Sequence, residues 1–179
     1  MNSGLPIRTR STRPRRTPVA ICEPRRPTFK VFTLSETRIV HKRLLGDIYD
    51  WAGKIRAYAT GRNAASFARP EYIESLFETS IFNPSRRENF LKGLDCERFA
   101  ERRAHFASEI NAVHPFNDGN GRVTRLFLKD LAARAGFFLD LTRLEADKGA
   151  WRAAMKQGFE RADTSKAKLE ILNASRALK

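Results

Sequence analysis

Apolar residues recur at intervals of three or four positions along most of this chain, and that spacing constrains the fold more than any other feature. A period near 3.6 places apolar side chains on one face of an α-helix. The two central stripes are Phe99, Phe106, Ile110, Val113 and Val123, Phe127, Leu131, Ala135. Pro115 should end the first helix, and Gly136 suits the position just past the second. The sequence therefore predicts two consecutive helices joined by a short loop.

Three further stripes extend the helical prediction to the rest of the chain. They are Val40, Leu44, Ile48, Trp51; Ile73, Leu76, Phe77, Ile81; and Trp151, Met155, Phe159. Asp95 and Asp147 are predicted N-caps, and a last helix is expected after Ser165. Between residues 55 and 68 small residues alternate around a glycine, which predicts a short β-hairpin. We therefore expect one all-α domain with a small hairpin, or flap.

Size and composition limit the class of protein. A chain of 179 residues, 41% of them hydrophobic, can form one domain with a full core. No stretch approaches the ~20 apolar residues that a membrane-spanning helix needs, so we expect no membrane association. The two cysteines, Cys22 and Cys96, lie in different contexts. They indicate neither a disulfide framework nor a zinc site, and we expect a reducing, cytoplasmic location.

Positive charge is concentrated near the N-terminus. The net charge is +14, and residues 1–30 hold eight arginines or lysines against one acidic residue, Glu23. This segment is rich in Arg, Pro, Ser and Thr, so we predict a disordered basic arm over residues 1–33 and a folded domain over 34–179. The arm could bind nucleic acid or an acidic partner through charge alone. The alternatives are a transit peptide, which its prolines oppose, and a solvated tail with no specific role.

The loop between the two central helices carries the residues best suited to chemistry. Its sequence is HPFNDGNGR over residues 114–122, and Arg125 follows three positions later. The start of a helix presents unpaired N–H groups and attracts anions. Gly119 and Gly121 let the backbone curl around a phosphate. The sequence therefore predicts an anion site at the beginning of the second helix.

Charged and titratable side chains surround this predicted anion site. Arg122 and Arg125, spaced i and i+3, can reach one phosphate chain. Asp118 supplies a hard oxygen ligand suited to Mg²⁺. His114 is expected to titrate near neutral pH and to accept a proton from an incoming hydroxyl. Together these residues predict transfer of a group from a nucleotide.

The segment HPFNDGNGRVTR, residues 114–125, resembles the signature of the Fic family, His-Pro-Phe-x-(Asp/Glu)-Gly-Asn-Gly-Arg-x-x-Arg, at every fixed position. HKRLLGDIYDWAGKIR, from His41, resembles the segment before the flap of Fic domains. SFARPEYIE, from Ser66, resembles the end of that flap and the helix after it. The resemblance runs from about Leu34 to the C-terminus and implies the all-α Fic-domain helical bundle with a short β-hairpin flap.

The resemblance also implies an activity. Fic proteins typically transfer AMP from ATP to a hydroxyl of a target protein, with Mg²⁺ and release of pyrophosphate. His114 is then the base that deprotonates a Ser, Thr or Tyr of the target, and Asp118 holds the metal on the α and β phosphates. The implied phosphate ligands are the anion hole of Gly119, Asn120 and Gly121, and, for the β and γ phosphates, Arg122 and Arg125.

Roles outside the phosphate site follow from the same resemblance. Phe116 would be buried and anchor the loop in the core. The flap would align the backbone of the target protein by strand addition. The implied docking residues of the flap are Arg56, Ala57, Tyr58, Ala59, Thr60, Gly61 and Phe67.

Three alternatives to AMP transfer stay open at this point. Doc-type kinases bind the triphosphate reversed and transfer the γ phosphate, but they depart from the Gly-Asn-Gly-Arg segment that is intact here. Transfer of UMP or another nucleotide is compatible with the sequence, because no identified residue recognises the base. A basic nucleic-acid-binding protein on the Fic fold would fit the charge but would not need His114.

Regulation is where the chain departs from many Fic enzymes. These carry an inhibitory helix with Ser/Thr-x-x-x-Glu-(Gly/Asn), whose glutamate pairs with the last arginine of the signature, here Arg125. The nearest segment, SRREN at residues 85–89, is one residue short, and we expect it to be a solvated turn. Either a small antitoxin supplies the helix in trans, as in toxin–antitoxin pairs, or the enzyme is unrestrained. Toxin-type relatives suggest a type II topoisomerase as one candidate target.

Overall fold

The computed structural model of the chain describes residues 28–62 and 65–178. Its helices are α1 (Leu34–Leu45), α2 (Ile73–Leu76), α3 (Asn83–Arg87), α4 (Cys96–Val113), α5 (Asn120–Ala135), α6 (Leu141–Ala146), α7 (Lys148–Arg161) and α8 (Ser165–Asn173). A π-helical turn, Phe77–Phe82, joins α2 to α3. The strands are β1 (Gly61–Arg62), β2 (Ala65–Ser66), β3 (Phe137–Leu139) and β4 (Ser175–Ala177). The predicted all-α class is confirmed.

Helix α4 forms the centre of the core. Asp95 caps its N-terminus, as predicted, by accepting a hydrogen bond from the Arg98 N–H at 2.8 Å. Its apolar face contacts α5, α7 and α8. The side chains predicted to face the core are all buried: Phe99, Phe106, Ile110 and Val113. Burial of each such side chain stabilises the fold by roughly 1.5–3 kcal/mol, so α4 fixes the position of the loop at its C-terminus.

The prediction for the first helix is wrong at its C-terminal end. Helix α1 stops at Leu45, and the following turns leave Ile48 exposed. In these turns the Gly53 N–H donates to His41 Nδ1 at 2.8 Å. These turns fold the chain back against α1, which a continuous helix could not do.

Two antiparallel strand pairs complete the fold. β1 and β2 form the predicted hairpin, with Gly61 opposite Ser66 and Arg62 opposite Ala65. The paired strands are shorter than expected, and residues 63–64 at the tip lie outside the described residues. The sequence does not predict the second pair, β3 with β4, which joins the end of α5 to the chain after α8.

The folded domain begins earlier than predicted. Phe29 and Phe32 are buried, and Phe32 lies edge-on to Phe127 of α5 with ring centres 5.0 Å apart. Phe29 and Phe32 therefore pack in the core, although the predicted basic arm included them. The predicted disorder of residues 1–27 lies outside the described residues. None of the described helices is long and apolar enough to cross a membrane.

Candidate active site

The loop that joins α4 to α5 begins with an unusual backbone conformation. His114 has φ 45° and ψ 61°, in the left-handed region that few residues other than glycine adopt. Its N–H still donates to the Ile110 carbonyl at 3.1 Å, so His114 caps α4. The next residue, Pro115, cannot continue the helix. The left-handed turn is therefore how the chain leaves α4 and enters the loop.

Arg56 holds this turn in place from the base of the flap. Its side chain is only 2% exposed. The guanidinium donates to the carbonyls of His114 and Tyr58, both at 2.7 Å, and to that of Ala68. Its backbone N–H donates to the Pro115 carbonyl at 3.0 Å. Arg56 therefore ties the flap to the loop, and its buried side chain is not exposed to a target. Docking of a target backbone by the flap stays a prediction.

The His114 imidazole is held at one edge and on one face. Nδ1–H donates to the Asn111 carbonyl at 3.3 Å, because a carbonyl oxygen can only accept. The Phe67 ring lies 3.8 Å away and within 5° of parallel. In the neutral ring, Nε2 then carries the lone pair. His114 therefore presents Nε2 as the atom that can accept a proton.

The pKa of His114 is lowered to about 4, chiefly because the side chain is buried. The hydrogen bond to Asn111 acts against this shift, the charges of Arg62 and Arg56 lower the pKa further, and Asp118 raises it. The expectation that His114 titrates near neutral pH is therefore wrong. At pH 7 the imidazole is neutral, which is the form that accepts a proton.

The Asn120 side chain closes the loop instead of facing a ligand. Its Oδ1 accepts a hydrogen bond from the Phe116 N–H at 3.0 Å, and its Nδ2 donates to the Phe116 carbonyl at 2.7 Å. Both residues are buried, and the Phe116 ring stacks on His41 with ring centres 3.8 Å apart. Phe116 thus anchors the loop, and Asn120 can contribute to an anion hole only through its backbone.

The first turn of α5 has the geometry of an anion site. Gly119 precedes it with φ 80°. The N–H groups of Arg122 and Val123 donate to the Gly119 carbonyl at 3.0 and 3.1 Å. The N–H groups of Asn120 and Gly121 come before these first intrahelical donors, so they can donate to an anion.

Two arginines and one carboxylate border this helix start. Arg125 Nη1 lies 3.5 Å from the position that a Cβ on Gly121 would take, which puts its charge beside the first turn. Arg122 Nη2 lies 3.5 Å from Asp118 Oδ2, and both side chains are exposed. The structure thus brings the charged residues predicted from the sequence together at one end of α5.

Asp118 suits the role of a magnesium ligand. Its side chain is 61% exposed. The Gly119 N–H donates to Oδ1 at 2.7 Å, and the Tyr49 hydroxyl lies 3.5 Å from Oδ2. Within the described part of the chain, no three His, Cys, Asp or Glu side chains come together as a metal cage. A Mg²⁺ ion bound by Asp118 would therefore take its other ligands from phosphates and water, as Mg²⁺ commonly does.

His41 is a site residue whose role the sequence does not reveal. It lies buried on α1. The Gly53 N–H donates to its Nδ1, so Nε2 carries the proton and donates to the Asp118 carbonyl at 2.9 Å. Burial lowers the pKa of His41, which favours this neutral form. His41 thus positions the backbone of Asp118, and its only sequence signal is its place at the start of HKRLLGDIYDWAGKIR.

The flap exposes most of its predicted docking residues. Those that are exposed or half-buried are Ala57, Tyr58, Ala59, Thr60 and Gly61. Phe67 differs, because it is buried and stacks on His114. The Phe67 ring is therefore turned towards His114 and is not exposed to a target. A docking role for its backbone stays a prediction.

The sequence pattern of the Fic/DOC family matches residues 31–132, more than half of the chain, including the flap and the loop. The chain belongs to the Fic/DOC family. Its fold is shared with a solved Fic-family neighbour, the BepC protein of Bartonella tribocorum with bound AMPPNP. The two structures superpose with a TM-score of 0.78 at 24% sequence identity, over 86% of this chain and 79% of that one.

Curated relatives of this Fic-family chain match it over much of its length. VbhT of Bartonella schoenbuchensis, named a protein adenylyltransferase, is 37% identical over 136 residues, which are 76% of this chain and 28% of VbhT. Fic of Escherichia coli K12, named a probable protein adenylyltransferase, is 36% identical over 125 residues, which are 70% of this chain and 61% of that protein. The chain spans less than two thirds of the length of either relative.

Proposed function

We propose that this Fic-family chain is a protein adenylyltransferase, which transfers AMP from ATP to a Ser, Thr or Tyr hydroxyl of a target protein and releases pyrophosphate. The observation that carries the proposal is His114, held at its Nδ1 edge and on one face, in the loop that leads into the glycine-flanked start of α5. The names of the two relatives, a protein adenylyltransferase and a probable one, support it.

In the proposed reaction, His114 Nε2 accepts the hydroxyl proton while the hydroxyl oxygen forms a bond to the α phosphorus. The bond from the α phosphorus to the oxygen that bridges to the β phosphate breaks, and pyrophosphate leaves with that electron pair. The guanidinium groups of Arg122 and Arg125 stabilise the charge that develops on the phosphates. The N–H groups of Asn120 and Gly121 add hydrogen bonds, and one such donor is typically worth about 10²–10³ in rate.

Mg²⁺ is the metal that this part of the chain fits. Asp118 would hold it through its exposed carboxylate beside the first turn of α5. When bound, Mg²⁺ neutralises charge on the phosphates. His41 fixes the backbone of Asp118, and the Gly119 N–H orients its carboxylate.

Labelled nucleotides distinguish AMP transfer from the alternatives. The purified chain is incubated with Mg²⁺, host lysate and ATP labelled at either the α or the γ phosphorus. AMP transfer labels a protein only from α-labelled ATP, whereas a Doc-type kinase labels it only from γ-labelled ATP. Stronger labelling from α-labelled UTP would indicate UMP transfer. Nucleic-acid binding without label from any nucleotide would support the binding-protein alternative. The labelled band, once sequenced, would also show whether the target is a type II topoisomerase.

We also propose that a small antitoxin carrying the Ser/Thr-x-x-x-Glu-(Gly/Asn) helix restrains the enzyme, which would make this chain the toxin of a pair. The segment of this chain closest to that pattern, residues 85–89, packs in the fold. Ser85 is buried in α3, which corrects the expectation of a solvated turn. Arg102 Nε donates to Glu88 at 2.8 Å and so engages its carboxylate. Co-expression with the small protein encoded beside the gene should suppress labelling, and undiminished labelling by a tight complex would count against restraint.

A further inference from the structure

One face of the proposed base is covered by the flap. The Phe67 ring lies parallel to the His114 ring at 3.8 Å, and Phe67 is only 6% exposed. Phe67 also contacts Phe159 of α7, with ring centres 4.7 Å apart. The ring is therefore held by the core and is not available to a docked target.

Hydrogen bonds fix the flap backbone relative to His114. The Ala68 N–H, directly after Phe67, donates to the Ala112 carbonyl near the end of α4 at 3.0 Å. Arg56 bridges the two sides, because its guanidinium donates to the carbonyls of both Ala68 and His114. The end of the flap and the start of the loop are thus one hydrogen-bonded unit, with the two rings stacked beside it.

We propose that Phe67 is a positioning residue that fixes the plane of the His114 imidazole, so that Nε2 keeps one direction during proton transfer. The inference rests on the proposed function of His114 as the base. The hydrogen bond from Nδ1 to the Asn111 carbonyl holds one edge of the ring but leaves its tilt free, and a parallel neighbour removes that freedom. Misplacing a reacting atom by about 1 Å can cost about 10²-fold in rate.

The same contact would couple target docking to the base. Residues 57–61, which are exposed or half-buried, form the edge to which a target strand would add. Within that edge, the Thr60 carbonyl accepts a hydrogen bond from the Phe67 N–H at 3.0 Å. The proposed docking edge is therefore hydrogen-bonded directly to the residue whose ring covers His114.

Phe67 also contributes to the burial that lowers the pKa of His114. The charged groups that act on this imidazole in the described residues are Arg62 and Arg56, which lower its pKa, and Asp118, which raises it. Arg62 lies on the flap itself, 6.0 Å from the centre of the Phe67 ring. Loosening Phe67 would therefore admit water and move a flap charge, and both changes favour protonation of His114.

Histidine NMR tests the contact without an assay of activity. The chain has three histidines, so the His114 signals can be assigned with His114→Ala. Phe67→Leu should raise the pKa of His114 from about 4 towards ~6.5, and Phe67→Tyr should keep the wild-type value. Phe137→Leu is the matched control, because Phe137 is 7% exposed and stacks on Phe99 at 3.9 Å, at the other end of α4. It should leave the His114 signals unchanged.

The kinetics of AMP transfer give the second readout. Phe67→Leu should lower kcat about 10- to 100-fold, with the KM for the target changed by less than about twofold. Phe67→Tyr, which keeps an aromatic ring, should have a kcat near that of the wild-type chain. Tyr58→Ala, on the exposed edge, should instead raise KM. An unchanged His114 pKa, an unchanged kcat, or a loss no larger than that of Phe137→Leu would each overturn the proposal. If the wild-type chain labels no protein, the proposed function fails, and the NMR result then decides only whether Phe67 covers His114.

Discussion

Gly119 and Leu45 lie so close that a Cβ added to Gly119 would be 2.4 Å from Leu45 Cδ1. Gly119 also has φ 80°, a conformation that side-chain-bearing residues adopt only with strain. Leu45 is the last residue of α1 and is fully buried, so it cannot move aside without disturbing the core. The start of α5, where the phosphates would bind, is therefore set by its packing against α1.

Gly119→Ala should consequently lower the free energy of unfolding by about 2–4 kcal/mol, because left-handed strain and overpacking add together. Gly121→Ala is the matched control, since its Cβ would meet Arg125 Nη1 at an ordinary 3.5 Å. It should change stability by no more than about 1 kcal/mol but weaken ATP binding, because the methyl group crowds the first-turn N–H groups. Urea unfolding and calorimetric titration with ATP check both effects. Equal unfolding free energies for the two variants would contradict the role assigned to Gly119.

Asn120→Ala should destabilise the fold as well as the site. It leaves the buried N–H and carbonyl of Phe116 without their partner, and each such group costs about 1–3 kcal/mol. Asn117→Ala, in the same loop but exposed, should cost less than about 0.5 kcal/mol. Chemical denaturation of the two variants compares these costs. An Asn120→Ala variant that is fully stable but binds ATP weakly would show instead that the side chain contacts the nucleotide.

His41→Phe keeps a ring beside Phe116 but removes the hydrogen bonds to Gly53 and Asp118. The free energy of unfolding should fall by about 2 kcal/mol or more, and the affinity for ATP with Mg²⁺ should fall because the Asp118 backbone is no longer fixed. His105→Phe, at a half-buried position on α4, should change stability by less than about 0.5 kcal/mol. Isothermal titration with and without Mg²⁺ measures the affinity. A His41→Phe variant with unchanged magnesium dependence would remove His41 from the site.

Stability should decline in mildly acidic solution. The pKa of His114 is lowered to about 4, and burial lowers the pKa of His41 and of His105. As the pH falls, the histidines of the unfolded chain are therefore protonated before those of the folded chain. Their contribution to the free energy of unfolding is complete above about pH 6.5 and is lost as the pH drops towards about 4. His114 alone accounts for up to about 3 kcal/mol of this loss.

Urea unfolding at about pH 7, 5.5 and 4.5 measures this dependence on the histidines. His114→Ala should show a shallower decline than the wild-type chain, because carboxylates and the other two histidines titrate in both proteins. If both proteins lose stability in parallel, the low pKa assigned to His114 is wrong.

The helices of the core could be predicted because their signals are local. Asp95 caps α4 by bonding an N–H three residues away, and Gly136 ends α5 with φ 89°. The proposed phosphate site at the start of α5 follows from the same kind of signal, because glycines and arginines at fixed spacing lie on one short segment. Such features need no knowledge of distant parts of the chain.

The contacts that hold the site together could not be predicted, because they join residues far apart in sequence. An arginine at the base of a flap is expected to be exposed, but Arg56 is buried and donates to the His114 carbonyl. His41 gives no sign in the sequence that it donates to Asp118. The low pKa of His114 arises from burial to which the stacked Phe67 contributes, which no local pattern contains.

The most direct test of His114 as the base is labelling of host proteins with α-labelled ATP and Mg²⁺ by the wild-type chain, His114→Ala and His105→Ala. His105 is the matched histidine, because it lies within α4 whereas His114 caps that helix. The His105 ring contacts Phe106 rather than the loop. A labelled protein is expected with the wild-type chain and with His105→Ala, and none with a folded His114→Ala variant. Equal labelling by His114→Ala, or no labelling by the folded wild-type chain, would contradict the role of His114 as the base.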